Sequence, residues 1–277
     1  MKTLSILPAL KLQSFVREIL VIEKNELSDV SPLRFYADGS PGVIFYQGDY
    51  PLYFEEEITP LASLFVYGQT IKPVRFVSKG TYRMIAFCFY PHVIKSLFGI
   101  DSNTLTDSCL DLQLLHSASL QSTISELQDA YLPEKQIELL GDCIYNFYTS
   151  RKEDPNDMLA HAVTRIFKSD GQVCLKSLIK YLQISERTFE RKFLYHIGVG
   201  PKMFSRICQF QSSLKQMEKE KFDKLSDIAY ENGYADQSHF IRVFSEFTGY
   251  TPLEFKKQVK PSLIPAFNEM LYKALSA

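Results

Sequence analysis

Long apolar runs are missing from this 277-residue sequence. No stretch approaches the ~20 apolar residues that a membrane-spanning helix requires, so we expect no membrane partner. The run from Leu4 to Leu10 is short and Pro8 interrupts it, which argues against a secretory signal. Apolar residues at 45% and charged residues at 23% are ordinary for a soluble globular protein, so the sequence predicts a cytoplasmic location.

Paired cysteine motifs are also missing. The sequence has five cysteines and no C-x-x-C, which argues against a zinc–cysteine module. Four of them sit within apolar or helical patterns and their number is odd, so buried free thiols are favoured over a redox switch. The cysteines are Cys88, Cys109, Cys143, Cys174 and Cys208.

Histidine is absent where a metal enzyme would need it. None occurs between residues 30 and 90, and His92 follows the last predicted strand. Metal sites in barrels need clustered His and carboxylate ligands, and the acidic run 55–57 is typical of a solvated loop. No Ser/His/Asp or Gly-rich phosphate motif replaces them. The sequence therefore predicts no enzyme, no metal site and no cofactor.

Short segments of β-forming residues fill the region between Ser14 and Tyr90. Asp-Gly, Pro-Gly, Gly-Asp and Lys-Gly separate them, a pattern that predicts a small barrel or sandwich. The predicted strands are Phe15–Ile22, Leu33–Tyr36, Val43–Tyr46, Leu52–Phe54, Leu64–Tyr67, Val74–Val77 and Met84–Tyr90.

Aromatic residues in these strands permit two interpretations. They line a pocket for a small organic effector, or they fill the barrel as core, which is favoured for any single residue. The candidate pocket residues are Arg34, Tyr36, Phe45, Gln47, Tyr67, Arg75 and Phe87.

Two amphipathic helices are predicted after the barrel. Apolar stripes run from Leu120 to Tyr131 and from Ile137 to Tyr148, with Pro133 between them. Such stripes pack equally well on the barrel or on a second subunit, so a homodimer stays open. The polar segment 150–156 contains a proline and predicts a linker.

The C-terminal third contains a repeat with a period of 51 residues. Arg191 recurs as Arg242, and Gly-x-x-Pro follows each copy. Self-similarity at a fixed period indicates a duplicated supersecondary unit. The repeated positions are Phe189, Phe193, Gly198, Pro201 and Phe204 in the first copy, and Phe240, Phe244, Gly249, Pro252 and Phe255 in the second.

Each copy has the signals of a helix-turn-helix. In the first, Ser185 is a good N-cap for a helix over Glu186–His196. In the second, Gly233 suits a turn with positive φ, and Asp236 caps a helix over Gln237–Thr248. A single such helix is better explained by a solvated polar face. The recurrence of the whole pattern favours two units that place two recognition helices in DNA.

Charge is distributed unevenly, although the net charge is only −1. Residues 1–155 carry 13 Lys and Arg against 19 Asp and Glu, whereas residues 156–260 carry 17 against 12. A basic C-terminal half attracts phosphates. The excess is modest, so affinity depends on a dimer or on good local placement of the cations.

Several stretches carry a resemblance to a known family. SERTFERKFLYHIGVGPKMF and DIAYENGYADQSHFIRVFSEFTGYTPLEF resemble the two halves of the AraC/XylS-type DNA-binding domain. ADGSPGVIFYQGD, VYGQTIKPVRF and MIAFCFYPHVIKSLFGI resemble the small cupin-like barrel found in front of some of these domains. Three departures lie in the first half, where Ile179, Gln183 and Gln209 stand at positions that the family often fills with Ala, Gly and Arg.

The resemblance implies an α+β protein. A cupin-like sensor and dimerisation domain, a small β-barrel with helices over about 117–149, would span residues 1–150. A linker at 151–156 would lead to an all-α domain of about seven helices at 157–260, followed by a tail at 261–277. The two recognition helices would enter successive major grooves about 34 Å apart.

Residue roles are implied by the matched positions. Arg pairs with guanine, Gln with adenine, and Glu accepts from cytosine, whereas contacts to phosphates position the protein without specifying sequence. The implied base contacts are Arg187, Glu190, Arg191, Gln237, Ser238, His239 and Arg242, and the implied phosphate contacts are Ser185, Lys192, Lys202, Lys256 and Lys257.

Three functions remain open at this point. The leading one is a sequence-specific transcriptional regulator of double-stranded DNA, an activator that contacts RNA polymerase and whose barrel binds an effector. The second is a constitutive DNA-binding regulator whose barrel only dimerises or contacts a protein partner. The third, an enzyme with an accessory DNA-binding half, is disfavoured because no catalytic constellation is present.

Overall fold

The computed structural model describes residues 1–26, 32–115, 118–150, 157–219, 222 and 224–258. The predicted linker at 151–156 and the predicted tail at 261–277 lie outside these ranges. Along the described chain, a β-rich region is followed by a pair of helices and then by a helical region, so the predicted α+β class is confirmed. None of the helices in these ranges combines the length and apolarity that crossing a bilayer requires.

The β-rich region forms two antiparallel sheets. The larger has the order β1-β2-β8-β4-β6-β9 and the smaller the order β3-β7-β5. No strand of the described chain pairs across the two sheets, so they do not close into the small barrel that the resemblance implied. Two facing sheets agree with the sandwich that the strand pattern also allowed. The strands are β1 (Lys2–Ile6), β2 (Val16–Lys24), β3 (Leu33–Phe35), β4 (Gly42–Gly48), β5 (Tyr53–Phe54), β6 (Leu64–Tyr67), β7 (Val74–Val77), β8 (Tyr82–Phe89) and β9 (Cys109–Asp111).

Both faces of the larger sheet are buried. Successive side chains of a strand point to opposite faces, and in β4 they enter two different cores. Val43 and Phe45 pack in the core beneath the helical pair. Ile44 and Tyr46 pack in the core between the two sheets.

Helix α1 (Ile94–Phe98) lies between β8 and β9, and α2 (Ala118–Asp129) and α3 (Pro133–Ser150) follow the last strand. The apolar stripes of α2 and α3 share one core with the larger sheet, and Gly141 lets α3 approach closely, since a Cβ there would lie 3.1 Å from Leu12. These stripes are therefore covered by the chain's own sheet, except for Tyr131, which lies beyond the end of α2 and is exposed. The buried stripe residues are Leu120, Ile124, Leu127, Leu140 and Ile144.

The helical region begins at Asp157. Both prolines of the repeat start a helix, where the missing N–H costs nothing. Both glycines before them end a helix with positive φ, 96° at Gly198 and 76° at Gly249. The helices are α4 (Asp157–Lys168), α5 (Leu175–Tyr181), α6 (Glu186–Ile197), α7 (Pro201–Glu218), α8 (Leu225–Glu231), α9 (Gln237–Thr248) and α10 (Pro252–Gln258).

Helix α7 connects two helix-turn-helix units and contributes to the core of each. Phe204 and Cys208 pack with α4, α5 and α6. Ile207, Phe210 and Leu214 pack with α8, α9 and α10. A single helix therefore carries the packing surfaces of both units.

Candidate nucleic-acid interface

The first predicted recognition helix, α6, presents a polar face to solvent. The Ser185 hydroxyl accepts a hydrogen bond from the Thr188 N–H at 3.2 Å and so caps the helix. Phe189 and Phe193 are fully buried beneath it. The side chains left exposed include three of the predicted base contacts, Arg187, Glu190 and Arg191.

The second predicted recognition helix, α9, has the same arrangement. An Asp236 carboxylate oxygen accepts from the His239 N–H at 2.7 Å, and the phenylalanines of the inner face are fully buried. Gln237, Ser238 and Arg242 are exposed. The His239 ring is half-buried, and its Nδ1 accepts from the Ala235 N–H at 3.3 Å. This ring therefore also stabilises the turn before α9.

The two turns differ by one residue. Leu178 and Ile228 in the supporting helices α5 and α8 are 50 positions apart, whereas the recognition helices repeat at 51. In the second turn Gly233 has a φ of 72°, and in the first Gln183 takes the equivalent position with a φ of 54°. Left-handed backbone is unfavourable for a residue with a Cβ, so the first turn is strained where the second is not.

The predicted phosphate contacts surround these helices. Lys202, Lys256 and Lys257 are exposed, whereas Lys192 is half-buried. The Lys256 ammonium lies 5.6 Å from the centre of the Phe222 ring. All four stand on the helical region, and the roles predicted for them remain predictions.

The β-rich region contacts the first unit at the C-terminal end of α6. The Ser102 hydroxyl donates to the His196 carbonyl at 2.7 Å, and the Thr106 hydroxyl donates to the Gly198 carbonyl at 2.6 Å. A Cβ on Gly198 would lie only 2.8 Å from the Ser102 carbonyl oxygen, so this approach requires glycine. The contact leaves the N-terminal turns of α6, with Arg187, uncovered.

A second contact joins the β-rich region to the second unit. The Tyr36 ring packs edge-on against Phe255 of α10 at 5.6 Å. The Gln211 side chain of α7 donates to the Ala37 carbonyl. The Arg34 guanidinium lies over the Tyr250 ring at 5.5 Å. The segment after β3 is thus held against the connector and the last helix.

A buried ion pair anchors the same segment to the larger sheet. Arg17 Nη2 lies 3.0 Å from an Asp38 carboxylate oxygen, and both side chains are almost inaccessible to solvent. Burial raises the pKa of Asp38, and the Arg17 guanidinium opposes that rise. Breaking a buried pair leaves an uncompensated charge, so this pair resists separation of the segment from the sheet.

A small cavity lies between the two sheets. Its volume is about 50 Å³, and the rings of Phe35, Phe54, Phe65 and Phe76 form much of its wall. Tyr36 also lines it, and the Tyr36 hydroxyl is buried with no hydrogen-bond partner among the described residues. Small-molecule sites usually enclose ~300 Å³ or more, so a larger ligand would require the wall to move.

The predicted pocket residues are scattered in the structure. Tyr36 and Tyr67 line the cavity. Phe45 and Phe87 lie in the core under α2 and α3. The three polar residues have other partners: Gln47 donates to the Gln128 carbonyl, Arg75 pairs with Glu55, and Arg34 lies over the Tyr250 ring. The pattern missed Phe54 and Phe76. Strand alternation places Phe45 and Ile44 on opposite faces of the sheet, and Ile44 lines the cavity. The alternation alone does not indicate which of the two faces has a cavity.

The cysteines are all free. Cys88 and Cys208 are buried, and burial raises the pKa of both thiols, to about 12 for Cys88. Burial also raises the pKa of Cys109 and Cys143 to about 11. Cys174 is exposed before α5, and a hydrogen bond from Ser177 lowers its pKa.

Two family matches divide the chain in the same way as the fold. A helix-turn-helix domain family matches residues 178–258. A domain family of unknown function, DUF6597, matches residues 4–111, which hold all nine strands except the first two residues of β1.

Similar proteins are described as transcriptional regulators. An uncharacterised helix-turn-helix transcriptional regulator of Haemophilus influenzae is 29% identical over 85 residues, 31% of this chain and 28% of that protein. One from Staphylococcus aureus is 24% identical over 178 residues, 62% of this chain and 23% of that protein. The chain thus matches less than a third of the length of these relatives. A structure of ToxT from Vibrio cholerae aligns with 86% of this chain and 96% of its own, at 15% identity and a TM-score of 0.48.

Proposed function

We propose that this chain is a transcriptional regulator of the AraC/XylS family that binds double-stranded DNA sequence-specifically through α6 and α9 in two successive major grooves. The helix-turn-helix domain match over residues 178–258 and the regulators to which the chain is similar support this proposal. The observation that carries this proposal is the exposure of the polar faces of both helices, since the contacts that the described β-rich residues make with these helices lie at their C-terminal ends. In such a complex, Arg187, Glu190 and Arg191 read one groove, and Gln237, Ser238, His239 and Arg242 read the next.

Selection of bound duplexes from a random pool tests the proposal. We expect two half-motifs separated by about one helical turn, 10–10.5 base pairs from centre to centre. A selected pool with no shared motif, or with one half-motif alone, would contradict sequence-specific binding by both helices.

Two substitutions distinguish contacts that recognise bases from contacts that neutralise phosphates. Arg242→Ala should cost about 1–3 kcal/mol of binding free energy and relax preference at one base, because a bidentate contact is lost. Lys202→Ala, a matched loss of one exposed cation, should weaken binding evenly across sequences and reduce the salt slope by about 1. Fluorescence anisotropy over a set of duplexes and salt concentrations measures both. An even loss for Arg242→Ala argues against its role in base contact.

The β-rich region would act as a sensor. We propose that the cavity takes a small, largely apolar organic effector with one group that hydrogen-bonds to the Tyr36 hydroxyl. Tyr36 lines the cavity and also packs on Phe255. A ligand that moves this ring therefore changes the contact with the second unit, and its differential affinity for the two arrangements drives regulation. Activation through RNA polymerase belongs to the same proposal.

A thermal-shift screen with small apolar metabolites tests the sensor role. A true effector raises the melting temperature in proportion to the logarithm of its concentration. Tyr36→Phe keeps the ring and removes the hydroxyl, so the shift should shrink. If no compound stabilises the protein, the alternative of a constitutive regulator, whose β-rich region only dimerises or contacts a protein, is favoured.

A further inference from the structure

The loop between α4 and α5 in the first unit reaches the turn of the second unit. Gln172 Nε2 donates to the Glu231 carbonyl at the end of α8, at 3.0 Å. The Gln172 side chain also lies against Gly233, where a Cβ would be 2.8 Å from the amide oxygen. The two units thus touch directly, in addition to sharing α7.

This loop is fixed in place by its own glycine. Gly171 has a φ of 76°, and a Cβ there would lie 2.1 Å from the Ser205 carbonyl oxygen of α7. Only a glycine combines this backbone conformation with such a close approach. Gln172 is therefore presented to the second unit from a backbone held against the connector.

The other side of this contact is also fixed. Gln216 near the end of α7 donates to a Glu231 carboxylate oxygen at 2.6 Å and accepts from the Asn232 amide at 2.8 Å. The same Asn232 amide donates to the Ile228 carbonyl at 2.9 Å and is buried. The end of α8 is thus bonded both to α7 and to the first unit.

An ion pair fixes α9 on the connector. The Arg206 guanidinium of α7 meets the Glu246 carboxylate through two contacts, at 3.2 and 2.6 Å, and lies over the Phe247 ring at 5.6 Å. Fork-to-fork pairs add geometric specificity. Because the pair is partly exposed, it contributes little to global stability. The pair adds a contact of fixed geometry between α7 and the last turns of α9, beside the packing of the buried phenylalanines.

We propose that Gln172 and Arg206 are positioning residues that set the distance and rotational phase between the two recognition helices, and hence the spacer between the half-sites. This inference rests on the proposed two-groove binding. Adding one base pair turns the second half-site by about 34–36° and moves it about 3.4 Å. A junction held on both sides resists a correction of that size.

The test measures affinity for duplexes whose spacer is changed by one base pair in either direction. The wild-type chain should lose about tenfold on either change. The Q172M/R206M variant keeps the apolar volume of both side chains and removes the bridging donors. It should bind the optimal duplex nearly as well as wild type and lose no more than about threefold on the altered spacers.

Matched controls are available in the same chain. Arg165→Met removes a guanidinium that lies over Tyr181 within the first unit, and Gln121→Met changes an exposed glutamine of α2. Both should keep the wild-type spacer preference. Arg206→Lys keeps the charge without the fork, so its preference should be intermediate. Circular dichroism verifies that each variant is folded.

The possible outcomes are distinct. Relaxed spacer preference in Q172M/R206M, with an intermediate preference in Arg206→Lys and the wild-type preference in Arg165→Met and Gln121→Met, supports the inference. An unchanged preference in the folded variant overturns it and leaves the two-groove proposal intact. Absence of a two-part site for the wild-type chain overturns the two-groove proposal itself.

Discussion

At the scale of single residues, the turn at Gln183 is the position where this chain departs from its own repeat. Glycine fills the equivalent site in the second turn at Gly233, with the same sign of φ. A side chain with a Cβ in this region costs roughly 1–2 kcal/mol. The first unit therefore carries a local strain that the second unit lacks.

Gln183→Gly should relieve that strain. We expect the free energy of unfolding to rise by about 1 kcal/mol, reduced somewhat by the greater freedom of glycine in the unfolded chain. Urea denaturation followed by circular dichroism measures the change. Gly233→Ala is the reciprocal control and should destabilise, because its Cβ also meets Gln172. A neutral or destabilising Gln183→Gly would mean that the observed φ carries no strain.

Residue-level signals predicted the start of several helices in the two helix-turn-helix units. Hydrogen-bonding side chains before a polar-apolar periodicity gave the caps Ser185 and Asp236, and both make the expected bonds. The repeat gave the helix starts at Pro201 and Pro252. The bond between Gln172 and Glu231 had no such signal, because a contact across 59 positions depends on how two units pack and not on local pattern.

At the scale of elements, the seven predicted strands are all present. The sequence missed β1, β9 and α1. β1 and α1 have five residues each and β9 has three. Segments this short contain too few residues to show a helical or strand periodicity that distinguishes them from the flanking loops. The resemblance also led us to expect a closed barrel, whereas the structure has two separate sheets. Strand pairing between sheets depends on register and twist, which the pattern of residues along a strand does not encode.

Packing of α3 on its own sheet leads to a test at Gly141. Gly141→Leu should destabilise the protein by about 1–3 kcal/mol, because the added side chain meets Leu12 and Phe87 in a filled core. Asn146→Leu, on the exposed face of the same helix, should change unfolding little. Chemical denaturation distinguishes the two variants. Equal stabilities would mean that this face of α3 is not covered in solution.

At the scale of the whole molecule, His92 lies where the β-rich region meets the first unit. Its Nδ1 is buried without a hydrogen-bond partner among the described residues. Burial, and secondarily the nearby His196, lower the pKa of His92 to about 4, while Asp157 acts in the opposite direction. The neutral imidazole is thus the form that this contact accepts.

The pH dependence follows from that direction. The pKa of His92 in the folded chain is below its ordinary value of about 6.5. Above that pH the imidazole is neutral in both the folded and the unfolded chain, so its protonation does not lower the free energy of unfolding. As pH falls from about 6.5 towards about 4, the unfolded chain takes up a proton that the folded chain resists, and stability declines. His92→Gln should flatten this part of the curve. Urea midpoints across that range check it, and a slope equal to wild type would contradict the assignment.

Helix α7 has a consequence for modularity. One helix supplies Phe204 to the core of the first helix-turn-helix unit and Phe210 to the core of the second. Neither unit therefore has a complete core without α7. A fragment that ends or starts within this helix would expose a row of apolar side chains. Such a fragment would aggregate unless another protein covered them. Melting of one half should therefore spread into the other. Under the proposed function, DNA specificity is accordingly best changed by substituting side chains on α6 or α9, with α7 left intact.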